Sequence, residues 1–229
     1  MEHTHENIFF DELSTHWKFT AGAVVISGII IAVLKLTLFP EATAETEGIF
    51  EGFFISHLFF AALTPASLLA KYKRALWLGV FVAVLTSSIT CTLSDIVLPY
   101  LGGIALGYDM HFHICIIEEP LTAWSFIIGG ALLGFLLSRS LRKLSRFTHG
   151  LHILLSSTAA GMYLITYGVD VISIKALIFF PILIISVLVP CVMNDIGVPS
   201  YIVSINAGSK QDKRRLLDEI HHEHHDHHH

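Results

Sequence analysis

Two nonapeptides one hundred residues apart put an acid where an acid is costly. "CTLSDIVLP" (Cys91 to Pro99) and "CVMNDIGVP" (Cys191 to Pro199) each hold Cys, then Asp-Ile four residues on, then Pro four residues after the Asp. Both close long apolar runs. An ionisable group in hydrocarbon is unfavourable unless paired or hydrated, so Asp95 and Asp195 are functional candidates. At i, i+4 spacing, each Cys shares a helix face with its Asp. A histidine accompanies each set: His57 opens "HLFFAALTPA" and His152 opens "HILLSSTAAG". Imidazole, thiolate and carboxylate together suit a borderline transition metal. Zn2+ fits best, ahead of Ni2+, Co2+ and Fe2+, and a carboxylate-dominated site would favour Mn2+. Glu51, shortly before His57, and His149, one turn before His152, extend the two sets. Singly, a His or Cys in a span is commonly a packing residue. The matched aspartates set these two stretches apart.

Such residues need helices to hold them in a membrane. The chain has 229 residues, 53% apolar and 14% charged, with mean hydropathy +0.66. Soluble domains carry nearer a quarter charged residues, so the composition is that of an integral membrane protein. Six stretches are apolar enough to cross a bilayer: roughly 17–39, 48–70, 75–102, 120–138, 148–168 and 171–206. Pro181, Pro190 and Pro199 predict a kinked or broken last span. Pro99, Gly102 and Gly103 predict a break after Asp95, whose freed carbonyls would be further ligands. No run shows the period-2 alternation of a membrane barrel. The polar start "MEHTHENIFFDELSTHWK" does not read as a signal peptide. Of the 14 Lys and Arg, all but Lys35 and Lys175 fall on one side if the spans alternate. By the positive-inside rule both termini are cytoplasmic, in an inner or plasma membrane.

The markers recur in order. "TAGAVVISGIIIAVL" from Thr20 matches "TAWSFIIGGALLGFL" from Thr122, ahead of the His spans and the Cys-Asp-Pro spans. Three spans followed by three similar spans must be inverted, which is a transporter architecture. The predicted fold is an all-α integral membrane protein of six transmembrane helices in two inverted three-helix repeats. Its segments are a His-containing cytoplasmic start (1–16), repeat 1 (17–103), an outer connection (104–119), repeat 2 (120–206) and a cytoplasmic His-rich tail (207–229). In plan, though not in any motif, it resembles small cation exporters built from inverted three-helix repeats. Counting depth along the spans puts His57, Cys91 and Asp95 in the outer half of the membrane. The same count puts His152, Cys191 and Asp195 in the cytoplasmic half, giving two cation stations.

The outer connection "GYDMHFHICIIEEP" holds Asp109, His111, His113, Glu118 and Glu119. If helical, His111, Cys115 and Glu118 or Glu119 share a face and form a metal-recruiting vestibule. The bland alternative is an interfacial segment leading to Pro120. The tail "HHEHHDHHH" offers His221, His222, His224, His225, His227, His228 and His229 to divalent metals by composition alone. Its interrupting acids read as native sequence more than as a tag. The expected function is secondary transport of a divalent transition metal, Zn2+ favoured as substrate, with no organic cofactor. The alternatives are an intramembrane zinc-dependent hydrolase and a non-transporting metal-sensing subunit; the hydrolase is weakened by the lack of an HExxH pair and by the placing of His57 and Asp95 in the opposite half from His149 and His152, and convergence of the two sets on one cavity would rank it first. No phosphate-binding GxxxxGK[ST] loop is present. The expected partners are the lipid bilayer and metal ions, a homodimer being left open and nucleic acid excluded by the lack of a basic face.

Overall fold

The structure is a computed structural model that describes residues 5–37, 44–72, 74–138, 145–169, 176–205 and 212. The His-rich tail from His221 to His229 and the start through Thr4 lie outside these residues. So do the basic loop 139–144 and the connection 170–175. Every regular element among the described residues is helical. α1 runs His5–Thr37, α2 Ala44–Lys71 and α3 Leu76–Thr92, followed by a π-turn at Leu93–Val97 and α4 at Leu98–Ala105. A short α5 (Cys115–Glu118) precedes α6 (Pro120–Leu136) and α7 (Ser145–Thr166). α8 (Ala176–Val192), a second π-turn (Met193–Gly197) and α9 (Val198–Ile205) complete the bundle.

Four helices are long and apolar enough to span a membrane: Leu13–Thr37, Glu45–Lys71, Leu76–Ala105 and Ile178–Ile205. α6 is apolar but shorter, at 17 residues. α7, expected as a fifth span, falls outside that set because it is rich in Ser, Thr and His. Those residues point inward: His152, Ser156, Ser157 and Thr158 are all buried. The outer faces read as lipid contacts. On α3, Trp77, Phe81, Leu85 and Ile89 form an exposed stripe at four-residue spacing, while Ala83, Ser87 and Cys91 face inward.

The predicted helix breaks do not occur. Each Asp sits at the centre of a single wide turn and the helix then continues. Proline explains the turn. In a regular α-helix the ring of Pro99 would collide with the carbonyl of Asp95, four residues back, and Pro199 with that of Asp195. Widening by one residue relieves the clash, and Leu98 N–H then donates to the carbonyl of Leu93 and Val198 N–H to that of Met193. Such π-bulges often mark functional sites.

α2 and α7 form an antiparallel central pair. Tyr167 Oη donates to Glu47 at 2.9 Å, the Phe50 and Tyr163 rings meet at 5.4 Å, and those of His57 and His152 at 4.7 Å. Around this pair the contacts recur in matched form. α6 packs on α2 and α3 as α1 packs on α7 and α8. The first π-turn touches α7 and α8 as the second touches α2 and α3. Exchanging α1 with α6, α2 with α7 and α3 with α8 maps these contacts onto themselves.

In lipid, helices associate through close packing and hydrogen bonds more than through apolar burial. Gly130 and Gly134 supply the close approach of α6 to α2. A Cβ at either would strike the backbone of Phe59 or Leu63, whereas one at Gly129 would meet nothing. Gly134→Leu should therefore destabilise the protein by at least ~2 kcal/mol, as overpacking does. Thermal unfolding in detergent should show that loss, with Gly129→Leu close to wild type.

Candidate metal centre

The two residue sets predicted for opposite halves of the membrane meet in one cluster. Each π-turn directs its carboxylate at the central helix pair, and the two carboxylates are held alike. Asp95 Oδ2 accepts from His57 Nδ1 at 2.5 Å. Asp195 Oδ2 faces His149 Nδ1 at 3.2 Å and His152 Nδ1 at 3.5 Å. In both, Oδ1 accepts from the side chain one residue earlier: Ser94 Oγ at 2.5 Å and Asn194 Nδ2 at 2.9 Å. Ser156 Oγ adds a bond to Asp95 Oδ1 at 2.7 Å. Asn194 also donates to the carbonyl of Ala61 on α2 at 2.9 Å and accepts from Ser87 at 3.1 Å, tying three helices together.

Two stations were expected because depth was counted along upright helices. Helices that cross at the centre bring mid-length residues together, and His57 lies midway along α2. Long side chains bridge what remains. The cluster is sealed, with Asp95 and Asp195 at 0% exposure and His57, Cys91 and His152 at 1%.

Within it, single ligand atoms of His57, His152 and Cys191 all lie within 4.8 Å of one another. Cys91 Sγ adjoins this trio, 3.7 Å from His57 Nε2. Cys191 Sγ lies 3.8 Å from Ser156 Oγ. With Nδ1–H donating to the Asp95 carboxylate, His57 keeps Nε2 as a lone-pair donor. This is the carboxylate–histidine arrangement that orients metal-ligating imidazoles. His152 is the telling residue. Both its ring nitrogens are buried without a hydrogen-bond partner. Buried polar groups are normally satisfied, so an orphaned imidazole beside a thiol and a second imidazole fits a cation as its missing partner. Two imidazoles with one or two sulfurs match Zn2+ better than Mn2+.

Other expectations distribute differently. Glu51 does not join His57; it meets His113 and Cys115 at the far end of α2. The outer segment is helical only over Cys115–Glu118, so His111 shares no helix face with Cys115. His111 and Asp109 line a separate pocket of about 530 Å³ with Lys35 and Tyr167. Glu119 is exposed. His149 joins the cluster at its edge, 16% exposed. Two participants were not anticipated. His16 on α1 is buried and meets the His149 ring edge-on at 4.8 Å. It was missed because the apolar run starts at residue 17, although the helix is continuous from His5. Ser156 was not singled out, because one serine within "HILLSSTAAG" carries no signal of its own. Outside the spans, burial and the nearby Glu51, Glu119 and Glu118 push the Cys115 thiol up to about 12.

No protein-family model matches the chain, and no curated protein or solved structure matches it either. The reading therefore rests on the residues.

Replacing a carboxylate that orients a ligating histidine typically lowers metal affinity ~10–100-fold. Asp95→Asn should do so here while keeping the helix intact. Titration with Co2+, followed by thiolate-to-metal charge-transfer absorption, should show the midpoint move. Cys91→Ser combined with Cys191→Ser should remove the central site's share of the band.

Proposed function

We infer that the chain is a secondary transporter of a divalent transition metal, Zn2+ ahead of Co2+, Ni2+, Fe2+ and Mn2+, and that His57, His152 and Cys191 hold the substrate ion. One observation carries this: the His152 imidazole, sealed in the bundle centre with neither nitrogen hydrogen-bonded and Nδ1 only facing Asp195 at 3.5 Å, between a second imidazole and a thiol. Transporter sites lie where two repeats meet, on interrupted helices. The paired π-turns, the exchangeable contacts and the antiparallel α2 and α7 support that plan. In this reading six helical segments cross an inner or plasma membrane as two inverted repeats. Both termini are cytoplasmic, as the basic residues favour.

The acids supply the coupling. Two carboxylates in a low-dielectric core need two positive charges, whether one divalent cation or two protons. Release of the ion is then matched by uptake of two H+, one at the Cys191 thiolate and one at a His–Asp pair, while the other pair keeps its proton throughout, an exchange of one M2+ for two H+. Cation and protons compete for the same imidazoles. His149 and His16 offer an imidazole path from the cluster to the start of α7, and the His-rich tail collects metal at the cytoplasmic face.

The convergence of His57 with His149 and His152 is the arrangement that, around an open cavity, would rank the hydrolase first. A hydrolase, however, keeps an open coordination position reached by water and substrate. This cluster is closed, which favours an occluded cargo site.

Proteoliposomes loaded by external radiozinc test the reading. The wild type should accumulate zinc, faster under an imposed pH gradient, with protons moving oppositely. Asp195→Asn and Asp95→Asn should each cut flux at least ~10-fold, the order expected for a lost metal-orienting carboxylate. Wild-type vesicles with no flux of any of the five metals would sink the proposal. Removing residues 221–229 should change apparent affinity and leave maximal flux standing.

A further inference from the structure

At the opposite end of α2, a second histidine is buried with an open nitrogen. His113 lies in the connection between α4 and α5, its side chain 5% exposed. Its Nδ1 pairs with Glu118 at 3.0 Å and faces Glu47 at 3.8 Å. Its Nε2 is buried with no hydrogen-bond partner and faces Glu51 Oε1 at 3.8 Å. Cys115 is fully buried beside them, and one ligand atom each from Glu51, His113 and Cys115 lies within 4.8 Å of the others.

With its Nδ1 proton held by Glu118, His113 presents a lone pair at Nε2. That lone pair faces a carboxylate oxygen, with the Cys115 thiol in the same group, and neither is a strong donor to it. We propose that Glu51, His113 and Cys115 form a second binding site for a divalent transition metal, with Glu118 fixing the imidazole. The donors are one oxygen, one nitrogen and one sulfur. Mg2+ and Ca2+ take oxygen ligands, so this mixed set selects Zn2+ and its neighbours. Tetrahedral Zn2+ holds its ligand atoms ~3.5 Å apart. Side-chain adjustment of about an ångström closes the present spacing.

The site is distinct from the central cluster. Glu51 and His57 are six residues apart on α2, a rise of ~9 Å. Phe50, Phe54 and His57 share one helix face at i, i+4 and i+7. Phe50 and Phe54 are both fully buried, with rings 5.8 Å apart. Phe50 also meets the His113 ring at 6.2 Å. An aromatic pair thus stands between the outer imidazole and the central one. The site stands on its own geometry and does not rest on the transport reading. If transport holds, the same arrangement makes it the outer waiting position, with the two phenylalanines as the barrier to be crossed.

The chain's three cysteines make the test specific. None lies in the His-rich tail, so Co2+–thiolate charge transfer reports only on Cys91, Cys115 and Cys191. The full-length chain, purified in detergent, is titrated with Co2+. The double variant Cys91→Ser/Cys191→Ser should keep a thiolate band, and adding Cys115→Ser should abolish it. In the double-variant background, Glu51→Gln and His113→Ala should each raise the Co2+ midpoint at least ~10-fold, as loss of a direct ligand does. A folded double variant without a thiolate band overturns the proposal. A band indifferent to both Glu51→Gln and His113→Ala also overturns it, because the thiol would then be acting without the site. Should the double variant not fold, Cys115→Ser alone serves: it should remove part of the wild-type band, and an unchanged band rejects the site. Radiozinc flux plays no part in these readouts, so the two proposals fail separately.

Discussion

Everything central in this protein depends on keeping two carboxylates buried. A lone aspartate in a membrane core is too costly to persist, so each acid must be compensated where it stands. The compensation begins with a proline. By clashing with the carbonyl four residues back, Pro99 and Pro199 force a wide turn around Asp95 and Asp195. The turn aims the carboxylate at the central pair α2 and α7. The carboxylate then fixes an imidazole and leaves its second nitrogen as a lone-pair donor, the arrangement that orients metal-ligating histidines. Close packing makes this reach sufficient, since Gly130 and Gly134 let α6 approach the α2 backbone without a side chain between them.

The two halves match in plan and differ in tension. Asp95 is saturated, with His57 on one oxygen and Ser94 and Ser156 on the other. Asp195 has one amide on Oδ1 and divides Oδ2 between His149 and His152, neither as close as His57 is to Asp95. One half therefore holds its histidine firmly, while the other leaves His152 room to lean toward the acid or toward a cation. A carrier benefits from such inequality. A fully rigid ligand shell binds well but releases slowly, whereas a ligand with a competing partner can let go.

The matched Cys-Asp-Pro stretches, the paired histidines and the helical membrane class were all legible as sequence patterns. Spacing along one helix is local information, and helices obey it. Depth was not legible. It was inferred by counting residues from a span's start, which ignores tilt, crossing and side-chain reach. That count separated His57 from His152, whose rings meet at 4.7 Å. Glu51 was misassigned for a related reason: proximity in sequence to His57 says nothing about which way a helix face turns, and Glu51 faces His113 instead. Ser156 and His16 were invisible because their roles depend on partners more than thirty residues away. The proline-rich last span was read as kinked or broken because proline disrupts helices in general. Here the π-turn absorbs the insult, and the helix survives as a widened, polar-lined segment.

The sealed geometry itself bears on mechanism. A hydrated pore would let water solvate the acids and remove any need for paired charges. This cluster excludes water, so charge neutrality must be met by whatever occupies it. In the proposed transport cycle a divalent ion would meet it in one state and protons in another, and the His–Asp pairs suit both because an imidazole nitrogen binds either. In the proposed exchange, mutual exclusion at shared nitrogens is what couples ion to proton. In the proposed cycle such a site opens to one side only when its charge is balanced, and the His152 nitrogens, neither hydrogen-bonded, would be the atoms that exchange one positive partner for another.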